Sequence, residues 1–154
     1  MSIYHEAKGS PVLKAVIVLL LAALVYVLYE PYKIREQEEL YKKESRLRMI
    51  NIRTAQLTFI SESGRYCSTL DSLVMYIKAK RDSATIDASI FKPLTHGSFE
   101  PDSLLHSPKS LRPYSLQSVE TTVIKKYLLE DPDGYGSIGS LTDDMRVNKA
   151  SWEE

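Results

Sequence analysis

The sequence has one cysteine, no excess of charge of either sign and no long apolar run after residue 29. A lone Cys67 cannot close an intrachain disulfide, and Cys and His residues nowhere cluster at the spacing that zinc requires. Twenty Lys and Arg are balanced by twenty Asp and Glu, which excludes a generally basic nucleic-acid binder, because displacing counterions from phosphate takes a cationic surplus. No serine lies in a Gly-x-Ser-x-Gly setting, and Gly134-Tyr-Gly-Ser137 and Gly139-Ser140 read as hairpin glycines before they read as a phosphate cradle. His5, His96 and His106 are scattered through loop-like sequence and read as solvated side chains. No catalytic residue, cofactor or small-molecule substrate is indicated. A length of 154 residues is one domain's worth, so the informative feature is where its apolar residues fall.

They fall first between Ala15 and Tyr29, fifteen residues without a charge, and Val12 and Leu13 extend the block across Lys14. A bilayer core of roughly 30 Å takes about 20 helical residues, with about 17 as the lower limit. Val12 to Tyr29 supplies eighteen if Lys14 draws its ammonium toward the interface. Val12, Leu19, Leu20, Leu24 and Tyr29 are therefore expected to face lipid, with Tyr26, Tyr29 and Tyr32 as an aromatic belt at the far end. A cleaved signal peptide and a buried soluble helix are the rivals. Cleavage needs small residues in an A-x-A arrangement after the apolar stretch, and Leu24-Val-Tyr-Val-Leu-Tyr-Glu-Pro31 stands there instead.

From Glu30 to Arg48 the composition changes to eleven charged residues in nineteen. Glu38 and Lys42, Glu39 and Lys43, and Glu44 and Arg48 each place the acid four residues before the base, the favourable sense on a helix. Pro31 is expected to start or kink this segment. Beyond Arg48, Leu47, Ile50, Thr54, Leu57 and Phe59 or Ile60 recur at three- and four-residue spacing with Ala55 beside them, an amphipathic face that should end near Gly64. Residues 1–11 are thus read as a polar start, 12–29 as a transmembrane helix, 30–63 as a stalk helix and 64–154 as a small α+β head.

Within the head, Ser68-Thr-Leu-Asp71 is a near capping box with Asp in place of Glu or Gln. Leu70, Leu73, Val74 and Ile77 then form one buried stripe, closed by Lys78, Lys80 and Arg81 at the dipole's negative end. This helix is expected to fold back on the stalk, so that Ile50, Leu57, Leu70, Leu73 and Ile77 share a core or interface. Residues 82–116, rich in Ser and Pro, read as a long connection with one helical turn at Pro101–His106, where Pro suits the first position. The set Val119, Thr121, Val123, Lys125, Tyr127 and Leu129 reads as one strand. Asp131-Pro-Asp-Gly134 is a type I turn, and Tyr135–Leu141 is the return strand of a hairpin over 117–141. Asp131 and Asp133 offer two hard oxygens to calcium. A complete loop needs about six to eight, and the Asp-x-Asp-x-Asp-Gly and distal Glu pattern is missing. Cys67 reads as a half-buried thiol at a helix start, with no base placed beside it by the sequence. Trp152 is either tucked against the sheet or exposed.

The segment from Ile52 to Leu73, in which Ala55 and Phe59 lead into Gly64-Arg-Tyr-Cys67 and a Leu-x-x-Leu helix, resembles the junction of type IV pilin-like and pseudopilin proteins. It is also similar to uncharacterised single-pass proteins of Bacteroidota-type bacteria with a G-x-Y-x-x-x-L-D-x-L pattern. The marks of prepilin peptidase processing are absent: Gly9 is followed by Ser10-Pro11, and no acid falls within residues 10–29. Cys67 also replaces the family's usual Pro. The resemblance implies a pilin-like shape, an inner (cytoplasmic) membrane location and a head outside the cytoplasm. The partners expected are membrane lipid and other protein subunits, copies of itself included, and no nucleic acid. The function expected is structural, as a subunit of an envelope assembly, or that of an accessory binding subunit of a larger membrane complex. The charge rule points the other way on topology. Lys8 and Lys14 precede the span against six basic residues in the twenty after it, although the rule weakens when a long domain follows.

Overall fold

The computed structural model describes residues 10–95, 97–120 and 124–153. It is an α+β protein that divides into two compact units, Met1–Glu39 and Leu40–Glu154. Helix α1, Pro11–Ser63, contributes to both. Pro11 opens it where a missing N–H costs nothing, and the Leu, Ala, Glu, Lys, Gln and Arg that follow are strong helix formers. Pro31 lies inside α1 and does not start a new helix there. The end is set by Gly64, whose φ of 72° is the left-handed conformation that closes a helix without a Cβ clash. Its N–H donates to the Ile60 carbonyl at 2.9 Å.

Helix α2 spans Leu70–Asp82. Its cap is Thr69, one residue later than the Ser68 expected, and the Thr69 hydroxyl accepts the Ser72 N–H. Asp71 in the first turn and Lys80 and Arg81 in the last complement the helix dipole. Short 3-10 turns follow at Ala88–Ile90 and Pro101–Leu104, the second opening on Pro at its first position as predicted.

The sheet has three antiparallel strands in the order β1-β2-β3: β1 Ser115–Glu120, β2 Lys125–Glu130 and β3 Ser137–Gly139. The single strand expected from Val119 to Leu129 is instead the two arms of a first hairpin, in register with Ser118 opposite Tyr127 and Leu116 opposite Leu129. Thr121 and Val123 lie outside the described residues. The Asp131–Gly134 turn joins β2 to β3 as predicted, with the Gly134 N–H donating to the Asp131 carbonyl at 3.2 Å. Beyond a 3-10 turn at Asp144–Arg146, Ala150 returns to bridge Ile138.

The head's core brings together Met49, Ile52 and Ala55 of α1, Leu73, Val74 and Ile77 of α2, and Tyr127, Leu129 and Ile138 of the sheet. Gly139 sits where a Cβ would collide with the Tyr127 carbonyl oxygen of the neighbouring strand, so only glycine lets β3 approach β2 this closely.

Candidate functional site: an apolar helix and a polar spine

In the first unit, α1 is long and apolar enough to cross a membrane, and its most apolar window has no buried residue. Val12, Leu19, Leu20, Leu24 and Tyr29 are all exposed, Val12 to 70%. Burial of apolar area stabilises a fold by about 25 cal/mol per Å², and this surface gains none of that from the protein. Tyr29 and Lys33 stack at the end of the run, with the ammonium 4.9 Å from the ring centroid.

In the second unit, α1 presents polar side chains inward. Ser45, Met49, Ile52 and Gln56 form one row at helical spacing, and Glu44, Arg48, Asn51 and Ala55 form the adjacent row. Ser45, Asn51 and Gln56 are fully buried and Glu44 is nearly so. Each holds a loop. The Asn51 carboxamide donates to the Lys92 carbonyl at 2.9 Å and accepts the Lys92 N–H at 2.8 Å. Gln56 treats Cys67 in the same way, donating to its carbonyl at 2.9 Å and accepting its N–H at 2.8 Å. These two carboxamides therefore pair with isolated backbone units as a neighbouring strand would.

Glu44 accepts the Thr95 N–H at 2.7 Å and the Thr95 hydroxyl through one oxygen, and Arg48 Nε at 3.1 Å through the other. Arg48 in turn donates to the carbonyls of Ser103 and His106, at 3.2 and 2.9 Å. Burial pushes the Glu44 carboxyl up, but the Thr95 donors and the Arg48 guanidinium outweigh it and hold the group below its ordinary value. Arg46 donates to the Tyr135 carbonyl at 3.1 Å and lies 4.8 Å from the Trp152 ring, which is half-buried. Arg53 reaches the Asn148 carbonyl and the Glu153 carboxylate.

Asp131 and Asp133 are drawn into the same network. The Ser45 hydroxyl donates to Asp131 Oδ2, and since it has a single proton, Tyr114 must donate its own O–H to Ser45 Oγ at 2.9 Å. Burial pushes the Tyr114 phenol above its ordinary value, which keeps that proton in place. The other Asp131 oxygen accepts the Asp133 N–H at 2.6 Å. Asp133 accepts from the Ser107 and Ser110 hydroxyls and from Arg112. The carboxylates offered to calcium are thus occupied by hydroxyl, amide and guanidinium donors, and among the described residues no third acidic, Cys or His ligand joins them. His106 is exposed, and His5 and His96 lie outside the described residues. Cys67 is buried, with its thiol donating to the Thr69 carbonyl at 3.3 Å.

Of the expected core positions, Leu70, Leu73 and Ile77 are buried, Ile50 is half-buried and Leu57 is 42% exposed. The face over Leu47, Ile50, Thr54 and Leu57 lies about 160° round the helix from the buried one, at 100° per residue. An apolar-only pattern selects it because four of the seven buried positions on α1, Glu44, Ser45, Asn51 and Gln56, are polar. Ser45, Asn51 and Gln56 on the same side as Met49, Ile52 and Phe59 were the available signal.

No family model, curated protein or solved structure matches the chain.

Proposed function

We propose that this chain is a single-pass membrane protein whose head is an interaction domain of a bacterial envelope assembly, pilin-like or secretion-related. The span lies in the inner (cytoplasmic) membrane and the C-terminal domain on the periplasmic side. The observation that carries the reading is the wholly exposed apolar face of α1 from Val12 to Tyr29. A core helix of a soluble protein would bury such a face, and the bilayer is the solvent that suits it.

The head supports an interaction role because its polar side chains go into fixing loops onto α1. The hydroxyls that meet carboxylates, Ser45 on Asp131, Ser107 on Asp133 and Thr95 on Glu44, belong to that loop-fixing network. On topology, the six basic residues after the span are mixed with five acids in a long helix, and the rule they would obey loses force before a domain of this length.

Two experiments test this reading. Met75, 71% exposed on α2, is replaced by Cys and treated with a membrane-impermeant maleimide in intact and then in lysed spheroplasts, with buried Cys67 silent. Labelling in intact cells is expected, and labelling only after lysis places the head in the cytoplasm. Recovery of the chain from gently solubilised membranes should yield a multi-copy assembly. A single stoichiometric partner of a different kind would favour an accessory subunit.

A further inference from the structure

The outer edge of β1 is unusual for what it leaves undefended. Sheet edges normally carry Lys, Pro, a bulge or a covering element that prevents pairing with another chain. Ser115-Leu-Gln-Ser-Val-Glu120 has no Lys and no Pro, and among the described residues no strand pairs with its outer side. Two clefts lie along this edge and share Ser68. One, of about 380 Å³, is lined by Arg65, Ser118 and Glu120, and the other, of about 320 Å³, by Asp71, His106 and Leu116.

We propose that the free edge of β1 pairs antiparallel with the same edge of a second copy of this chain, centred on Ser118. This rests on the reading of the head as an interaction domain and names its partner. A two-fold axis perpendicular to the sheet keeps the core-facing sides of both copies together, so residues that oppose across it must share a face. Only Ser118 or Gln117 can then sit at the centre of the strand. A Gln117 centre would recruit Tyr114, whose N–H already donates to the Leu105 carbonyl at 3.3 Å. A Ser118 centre uses 116–120 alone, pairing Gln117 with the second copy's Val119 and Leu116 with the second copy's Glu120.

The charges fit the same operator. Glu120 is the single charge in the strand, so no like charges oppose in the ladder. The axis exchanges the two cleft ends, bringing Arg65 of one copy toward Asp71 of the other, opposite charges that line the two clefts. Leu116, Ser118 and Glu120 of each copy then have the other's clefts to enter.

The test uses the full chain in native membranes. In an antiparallel pair, opposing Cα atoms lie about 4.5–5.5 Å apart, inside the ~4.4–6.8 Å span of a disulfide. Ser118→Cys should therefore form a disulfide-linked dimer on mild oxidation, and Met75→Cys should not. The double variant Gln117→Lys/Val119→Lys sets lysine against lysine at both flanking pairs while altering only exposed side chains, and should weaken association at least about tenfold. Its unfolding midpoint by circular dichroism should be unchanged. Absence of the disulfide-linked dimer in Ser118→Cys overturns the proposal. So does cross-linking of Met75→Cys to the same extent, capture of a different protein by the thiol of Ser118→Cys, or a dimer that survives both lysines. Failure of the membrane reading shows separately, as release of the chain by carbonate.

Discussion

Gln56 and Asn51 each satisfy both hydrogen-bonding groups of one loop residue from a fully buried position. A buried donor or acceptor left unpaired costs about 1–3 kcal/mol, so Gln56→Ala or Asn51→Ala should lower the head's stability by at least about 2 kcal/mol in urea titration. Leu57→Ala, on an exposed side chain, should cost less than about 1 kcal/mol. The opposite ranking would restore the apolar face expected from sequence. Tyr127 gives a prediction of the other sign. Its ring is fully buried and tilted on Tyr66 at 4.7 Å, but its hydroxyl has no partner among the described residues. Tyr127→Phe should thus be neutral or stabilise by about 1 kcal/mol.

The acid response also belongs to residues. Burial pushes both the Glu44 and Asp133 carboxyls up, yet the Thr95 and Arg48 donors around the first, and those of Ser107, Ser110 and Arg112 around the second, hold both below their ordinary values. A depressed carboxylate contributes stability that is fully present above its unfolded value of about 4 and is lost as pH falls through the folded one. The urea midpoint should be flat from neutral pH to about 5 and fall below about 4, and Glu44→Gln should make that fall shallower. An unchanged slope in the variant would remove Glu44 from the account.

At the scale of elements, legibility followed how local each cause was. The α2 stripe, the Gly64 stop, the proline-led turn at 101 and the Asp131–Gly134 turn depend on neighbours within a few residues and were readable. The cap moved from Ser68 to Thr69, a choice between adjacent hydroxyls that propensity does not separate. The 82–116 connection was opaque because its order comes from distant side chains: Asn51 on Lys92, Glu44 on Thr95, Arg48 on Ser103 and His106. The run from Val119 to Leu129 has the alternation of one strand, and the fold divides it between two. Tyr127 and Leu129 are buried as that alternation implies, while Val119 is exposed on the other arm. The closeness of β3 to β2 rests on Gly139. Gly139→Ala should therefore break the second hairpin, with a loss above about 3 kcal/mol, more than the ordinary cost of a point change, whereas the same change at Gly97, with open space around it, should cost less.

At the scale of the whole molecule, the chain joins a helical segment that exposes nearly all of its apolar surface to a head that buries Ser45, Asn51 and Gln56. On the proposed reading two solvents account for this contrast, since lipid rewards the first arrangement and a paired polar interior permits the second. The apolar span was legible because length and hydropathy are properties of composition. The polar spine was not, because burial of an amide is decided by which loop returns to meet it. Extraction of isolated membranes with alkaline carbonate tests the central claim directly. The full chain should remain in the membrane pellet with its N-terminus unprocessed, and a chain beginning at Lys33 should appear in the soluble fraction. Release of the intact, unprocessed full chain by carbonate would contradict the membrane anchor.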